Sequence, residues 1–193
     1  RLYGPPSHLR LAGQLVHEAG LVTLRGELPS DGDIHIQAIS PGIHVDRLFP
    51  TGPQVNVGGN LALTVPPAET GQPARLHANA LAFDYHGYAI PTLDVDANLE
   101  EDGVRLMAID APYGGGRLHG VGFVTYEGVY DVAVKGSIAQ IAGDPNLERH
   151  VPGARGSLSL AVRVRGDSEQ ASFDGQGTFH NLRYSSLVAS EAR

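Results

Sequence analysis

Gly156-Ser157-Leu158-Ser159-Leu160-Ala161-Val162-Arg163-Val164-Arg165-Gly166 is the stretch that decides the fold. Leu158, Leu160, Val162 and Val164 alternate with Ser159, Ala161, Arg163 and Arg165. A period of two puts the first set on one face of a strand and the second set on the other. The same signature recurs on both sides of this stretch. Val55, Val57, Gly59, Leu61, Leu63 and Val65 alternate with Asn56, Gly58, Asn60, Ala62 and Thr64. Leu93, Val95, Ala97 and Leu99 alternate with Asp94, Asp96 and Asn98. Ala171, Phe173, Gly175, Gly177 and Phe179 alternate with Ser172, Asp174, Gln176 and Thr178. Shorter alternations occupy residues 22–28, 34–38, 104–108 and 130–138. Residues 76–85 carry Ala78, Ala80 and Ala82 on one face and Leu81, Phe83 and Tyr85 on the other. That pattern fits either a bulge or burial on both faces, and its groove side stays open.

Turn chemistry separates these runs at short intervals. Pro29-Ser30-Asp31-Gly32, Glu100-Glu101-Asp102-Gly103, Tyr113-Gly114-Gly115-Gly116 and Arg165-Gly166-Asp167-Ser168 are hairpin-like punctuations. Roughly ten strands joined by tight turns predict an antiparallel, all-β chain. Helix is scarce. Asp144 can cap a helix that has Pro145 in its first position, and Pro152-Gly153 then ends it, so one or two turns are expected.

Composition bounds the function. Fourteen basic and 21 acidic side chains give a formal net charge of −7 among 193 residues. An acidic balance argues against a nucleic-acid binder, which needs a basic surface to displace counterions. The chain has no cysteine, which excludes disulfides, thiol catalysis and cysteine-based metal sites. No run approaches the 18 or so apolar residues of a membrane span, and the first residues do not read as a signal peptide, so none is expected within this stretch. Arg1 at the start and an unfinished pattern at Arg193 suggest a fragment of a longer chain. Glycine (25) and proline (13) make up about a fifth of the residues, against roughly 12% in average usage. Tryptophan is absent and aromatics are 6%, so few large rings are on hand to fill a core. Lys135 is the single lysine, although lysine is a common guard of sheet edges.

The chain reads as a single elongated β domain, 1–193, built of two imperfect repeats at about 30–127 and 128–193, the second truncated. Residues 34–39 match 130–138, residues 58–65 match 156–162, and residues 80–85 match 179–184. The preceding pieces, 11–16 and 118–123, also match. Each cycle runs through strands, a short Pro-bounded helical plug, a Gly-x-Leu-x-Leu strand and further strands. Stacked cycles of this kind form an extended β structure.

This order resembles the TamB and AsmA-like repeat proteins of diderm bacterial envelopes. The residues that carry the resemblance are Asn146-Leu147 with Pro152-Gly153, the strand Gly156 to Gly166, and Asn181-Leu182 with Tyr184. The earlier copy departs from the pattern, with Asp46-Arg47-Leu48 in place of Asp-Leu and Val65-Pro66-Pro67 in place of a closing glycine. The resemblance covers about residues 30–184. It implies a folded-trough, β-taco-like antiparallel sheet with an apolar lining, in a parent protein anchored in the inner membrane and reaching across the periplasm. It further implies passage of phospholipid to the outer membrane or, alternatively, a role in assembling outer-membrane β-barrel proteins.

The residues point the same way on a separate argument. A sheet with one apolar face must cover it with a second sheet, a helix or a ligand. Helices are too few here. A lining of Val, Leu, Ala and Gly suits an acyl chain, each buried CH₂ of which is worth about 0.8 kcal/mol. The expected groove lining is Val55, Val57, Leu61, Leu63, Val65, Leu93, Val95, Leu158, Leu160, Val162 and Phe173. The competing arrangement is a sandwich whose two sheets cover each other. A scaffold that pairs an exposed edge strand with an outer-membrane protein segment is the alternative function.

No chemistry-bearing cluster stands out. His8/His17, His35/His44 and His77/His86 are each nine apart, an odd spacing that sets two rings on opposite faces of one regular strand. Solvated histidines are expected, with no metal and no cofactor. Asp94 and Asp96 share a strand face and read as solvated, as do Asp31 and Asp33 in their turn. Gly114-Gly115-Gly116 lacks the Lys-Ser/Thr of a phosphate loop, and no serine lies in Gly-x-Ser-x-Gly. Arg163 and Arg165 share the polar face of their strand, where a lipid phosphate at a rim is the competing partner to plain water. No catalytic residue is expected.

Overall fold

The computed structural model describes the chain apart from residues 45–46, 48–54, 86–87, 91, 143, 150, 168–169, 185–186 and 193. Side chains are also left undescribed at residues 55, 80–85, 88–89, 145 and 187–192. The protein is all-β and antiparallel, with fourteen strands among the described residues. It divides into two compact units, Arg1–Glu101 and Asp102–Arg193. That division falls inside the first sequence repeat and not at its end.

In the first unit the strands are β1 (Leu2–Tyr3), β2 (His8–His17), β3 (Gly20–Pro29), β4 (Ile34–His44), β5 (Val55–Val65), β6 (Ala74–Tyr85), β7 (Tyr88–Ile90) and β8 (Leu93–Leu99). Each strand from β1 to β6 pairs with the next. β7 then takes the last three residues of β6, and β8 takes Ala74–Ala80. A 3-10 turn, Ala68–Thr70, joins β5 to β6.

In the second unit the strands are β9 (Gly103–Tyr113), β10 (Gly116–Thr125), β11 (Tyr130–Ile138), β12 (Arg155–Gly166), β13 (Ala171–Tyr184) and β14 (Leu187–Ala192). They form a meander in which each strand pairs with its sequence neighbour. Gly114 and Gly115, at φ 55° and 71°, make the two-residue β9–β10 hairpin. The first of these glycines packs against Ile138, where a Cβ would collide with its methyl group.

Between β11 and β12 lies the expected helical turn, Pro145–Glu148. The Asp144 carboxylate caps it, accepting from the backbone N–H groups of Asn146 and Leu147 at 3.0 Å each. The earlier Pro-bounded plug falls mostly on residues outside those described. Three of the four matched repeat pieces occupy like places in the strand order: β4 and β11, β5 and β12, β6 and β13. The fourth does not. Residues 11–16 lie on β2, two strands before β4, whereas residues 118–123 lie on β10, next to β11. Alternation looks alike on every strand, so similarity alone does not choose between neighbours.

Burial is shallow. Among the described residues the buried apolar ones are Ala19, Ala97, Ala111, Ile138, Ile141 and Ala154, and no large side chain is fully enclosed. Ile138, Ile141 and Ala154, which flank the helical turn along the chain, are 3%, 2% and 3% exposed. A sandwich would enclose rows of large side chains between its sheets, and none is found among the described residues. No described helix is long and apolar enough to cross a membrane.

Candidate functional site

The pairing register assembles the expected lining into one face per unit. In the first unit Gly13, Leu24, Ala38, Leu61, Ala78 and Val95 form a row across six strands. The next row is Leu11, Gly26, Ile36, Leu63, Leu76 and Ala97. Directly opposed residues share a face, so Leu61, Leu63, Val65, Leu93 and Val95 belong to one surface. Val57 joins them through its pairing with Ile43. Val55 occupies the corresponding register position, with its side chain outside the described set. These side chains are half-buried.

A crease crosses this face. β5 runs regularly, but β4 gains one residue between Ser40 and Ile43, and β6 gains Leu81 between Ala80 and Ala82. This bulge settles the open reading of residues 76–85: the alternation changes phase at Leu81, which sets Phe83 in register with Val57. Buried Ser40 supports the irregular backbone. Its hydroxyl donates to the Leu21 carbonyl (2.7 Å) and accepts from the Gly42 N–H (3.2 Å). Gly58 must lack a side chain, because a Cβ there would lie 2.6 Å from the Pro41 carbonyl oxygen. At the crease an apolar cavity of about 150 Å³ opens between Val22, Ala38, Ile43, Val57, Leu61 and Ala78.

In the second unit the row Ile109, Gly120, Val134, Val162 and Gly175 crosses five strands. Flanking rows are Ala111, Leu118, Gly136, Leu160 and Gly177, and Leu106, Gly122, Val132, Val164 and Phe173. Leu158 lies between Ile138 and Phe179 on the same face. Glycines on β10 and β13 keep that face thin on either side of the branched side chains of β11 and β12. Phe173 has the expected register but stands 73% exposed. β14 pairs with the second half of β13, and the Phe173 end of β13 has no partner on that side among the described residues.

The reverse faces carry the charged side chains, beside exposed Val16, Ile39 and Val121. Arg163 grips the Asp131 carboxylate with two bonds, Nε to Oδ1 at 2.6 Å and Nη2 to Oδ2 at 2.5 Å. Arg165 Nε lies 3.7 Å from the same carboxylate. Arg163 thereby holds Asp131 below the usual carboxylate range, while its own pKa is pushed up. Asp110 is held down by the hydrogen bond from Arg117, with His119 3.5 Å away. His77 meets Asp96 at 2.8 Å, and the Asn79 amide donates to Asp94. Both arginines weighed for a lipid phosphate are thus engaged with a carboxylate, and Asp94 and Asp96 with neighbouring strands.

His35 and His44 depart from the expected opposition. They pair with Thr64 and Asn56, eight residues apart on regular β5, so the β4 bulge returns both to one face. Among the described residues no three His, Cys, Asp or Glu side chains converge as metal ligands. One cluster had no sequence signal. The Tyr113 hydroxyl donates to Asp144 Oδ1 (2.9 Å) and accepts from Asn146 Nδ2 (2.6 Å), fastening the helical turn to the end of β9. Burial pushes the Tyr113 hydroxyl pKa up. Comparison with protein-family models, with curated proteins and with solved structures finds no match for this chain.

Proposed function

We propose that this chain is a non-catalytic lipid-binding segment, whose apolar sheet faces hold the acyl chains of phospholipids. The observation that carries this reading is the half-buried state of the Leu, Ile and Val side chains of these rows, with no second layer over them among the described residues. Such a surface left to water is costly, and contiguous apolar faces mark binding sites. Acyl chains match the lining because they ask for area and offer no polar group. In the setting implied by the TamB and AsmA-like resemblance, the segment belongs to an inner-membrane-anchored periplasmic protein that conducts phospholipid toward the outer membrane.

The test is solvent extraction of the purified protein followed by lipid mass spectrometry, with a β-sandwich of equal size as control. Near-stoichiometric phospholipid supports the reading. Lipid at the control level rejects it and turns attention to the sheet edges as a scaffold for outer-membrane protein assembly.

A further inference from the structure

Arg155 on β12 and Arg183 on β13 lie directly opposite each other. Both are exposed. Neither guanidinium has a hydrogen-bond or ion-pair partner among the described side chains. Like charges directly opposed across a strand pair destabilise it. Elsewhere on the polar faces cations and carboxylates interleave: Arg163 and Arg165 share Asp131, Arg117 and His119 share Asp110, and His8 and Arg10 share Glu27. The Arg155–Arg183 pair breaks that pattern.

The backbone beside the pair is irregular. β13 holds one residue more than β12 between the Ser157–His180 and Arg155–Arg183 pairings. Asn181 takes φ 52°, a left-handed position that asparagine tolerates. A cavity of about 340 Å³ results, with Gln140, Arg155, Ser157 and Asn181 on its wall and Ala139 and Ala142 beside them. Arg155, Gln140, Asn181 and Ser157 therefore line one place, and Arg183, opposite Arg155, is a second cation with no partner among the described side chains. A carboxylate, with two oxygens and one charge, would satisfy one guanidinium fork. Inorganic phosphate or a phosphate monoester adds a third free oxygen and up to a second charge, enough for both, whereas a phosphodiester offers no more than a carboxylate does.

We propose that this cavity binds a phosphate with a free terminal group, either a monoester lipid headgroup or a small soluble phosphate. The site stands on the polar residues of β12 and is independent of the apolar-face reading.

Inorganic phosphate titrated against sodium chloride at matched ionic strength, with melting temperature and phosphorus NMR as readouts, tests the first source. Phosphatidylcholine vesicles carrying either phosphatidic acid, a monoester, or phosphatidylglycerol, a diester, test the second, and only the former should bind through the two arginines. Arg155→Gln and Arg183→Gln are the variants, and each relieves a repulsion, so both should melt no lower than the wild type without phosphate. Stabilisation by phosphate beyond chloride, weakened about tenfold or more in both variants, assigns a soluble phosphate if vesicles do not bind. Arginine-dependent binding to the phosphatidic acid vesicles assigns a headgroup. The proposal is overturned if neither phosphate nor vesicles produce an effect beyond chloride that depends on Arg155 and Arg183. Extraction of acyl lipid from the two variants should stay at the wild-type level, which separates this test from that of the apolar face.

Discussion

Val162 of β12 lies directly opposite Val134 of β11, and both side chains stay half-buried on a face with no described second layer. If acyl chains cover that face, a charge placed there must either lose water or displace lipid. Val162→Arg and Leu160→Asp should therefore each weaken acyl binding by about 2 kcal/mol, the contribution of two to three CH₂ groups, or roughly thirtyfold. Circular dichroism should stay unchanged, because a half-exposed side chain can turn its charge to water when no lipid is bound. Lipid mass spectrometry of variant and wild type decides; equal lipid content would reject the apolar face as the binding surface.

Gly58 is one of the tight points of the crease that borders the first-unit cavity. Gly58→Ala should destabilise that unit by about 1–3 kcal/mol, since its Cβ would press on the Pro41 carbonyl and the backbone would have to move. Gly13→Ala is the matched control. Nothing lies within 4 Å of a Cβ at Gly13, so that change should stay within about 0.5 kcal/mol. Urea unfolding of the two variants measures the contrast.

The helical turn offers a test of coupling. Asp144→Ala removes both the cap and the acceptor for the Tyr113 hydroxyl, and should cost about 1–2 kcal/mol. Tyr113→Phe should cost about 1 kcal/mol, because the Asn146 amide loses its acceptor as well. The double variant should cost less than the two together, since Asp144 and Tyr113 share one bond. Additive losses would show that the hydroxyl contributes nothing through Asp144.

Strand identity was legible because alternation is a local property, and β5, β8 and β12 carry it without interruption. The bulges were not, since an extra residue is defined only against a neighbour's register. For that reason the phase of residues 76–85 stayed open and the parity argument failed for His35 and His44. Alanines and short runs hid Val22, Ala38, Ile43 and Ala78, which line the crease although their hydropathy draws little notice. Phe173 was placed on the right face, but its exposure follows from where β14 stops along β13, which no local pattern records. Asp144 could be read as a cap from the proline that follows it. Tyr113 could not, because it reaches the cap from 31 residues away.

The Asp131–Arg163 pair sets the direction of the acid response. Hydrogen bonds from Arg163 hold the Asp131 carboxyl below its ordinary value of 3.8 in the folded chain. A carboxyl with a lowered folded pKa contributes stability that is present above the unfolded value and lost as the pH falls through the folded one. Wild-type protein should therefore lose melting temperature more steeply below about pH 4 than Asp131→Asn does, while the wild type melts higher at neutral pH. Both partners are half exposed, 50% and 41% by side chain, so the difference should be a few degrees at most and should shrink in molar salt. Melting curves at pH 7 and pH 3, with and without added salt, measure it. Parallel acid losses in the two proteins would mean that water already satisfies the Asp131 carboxylate as well as Arg163 does.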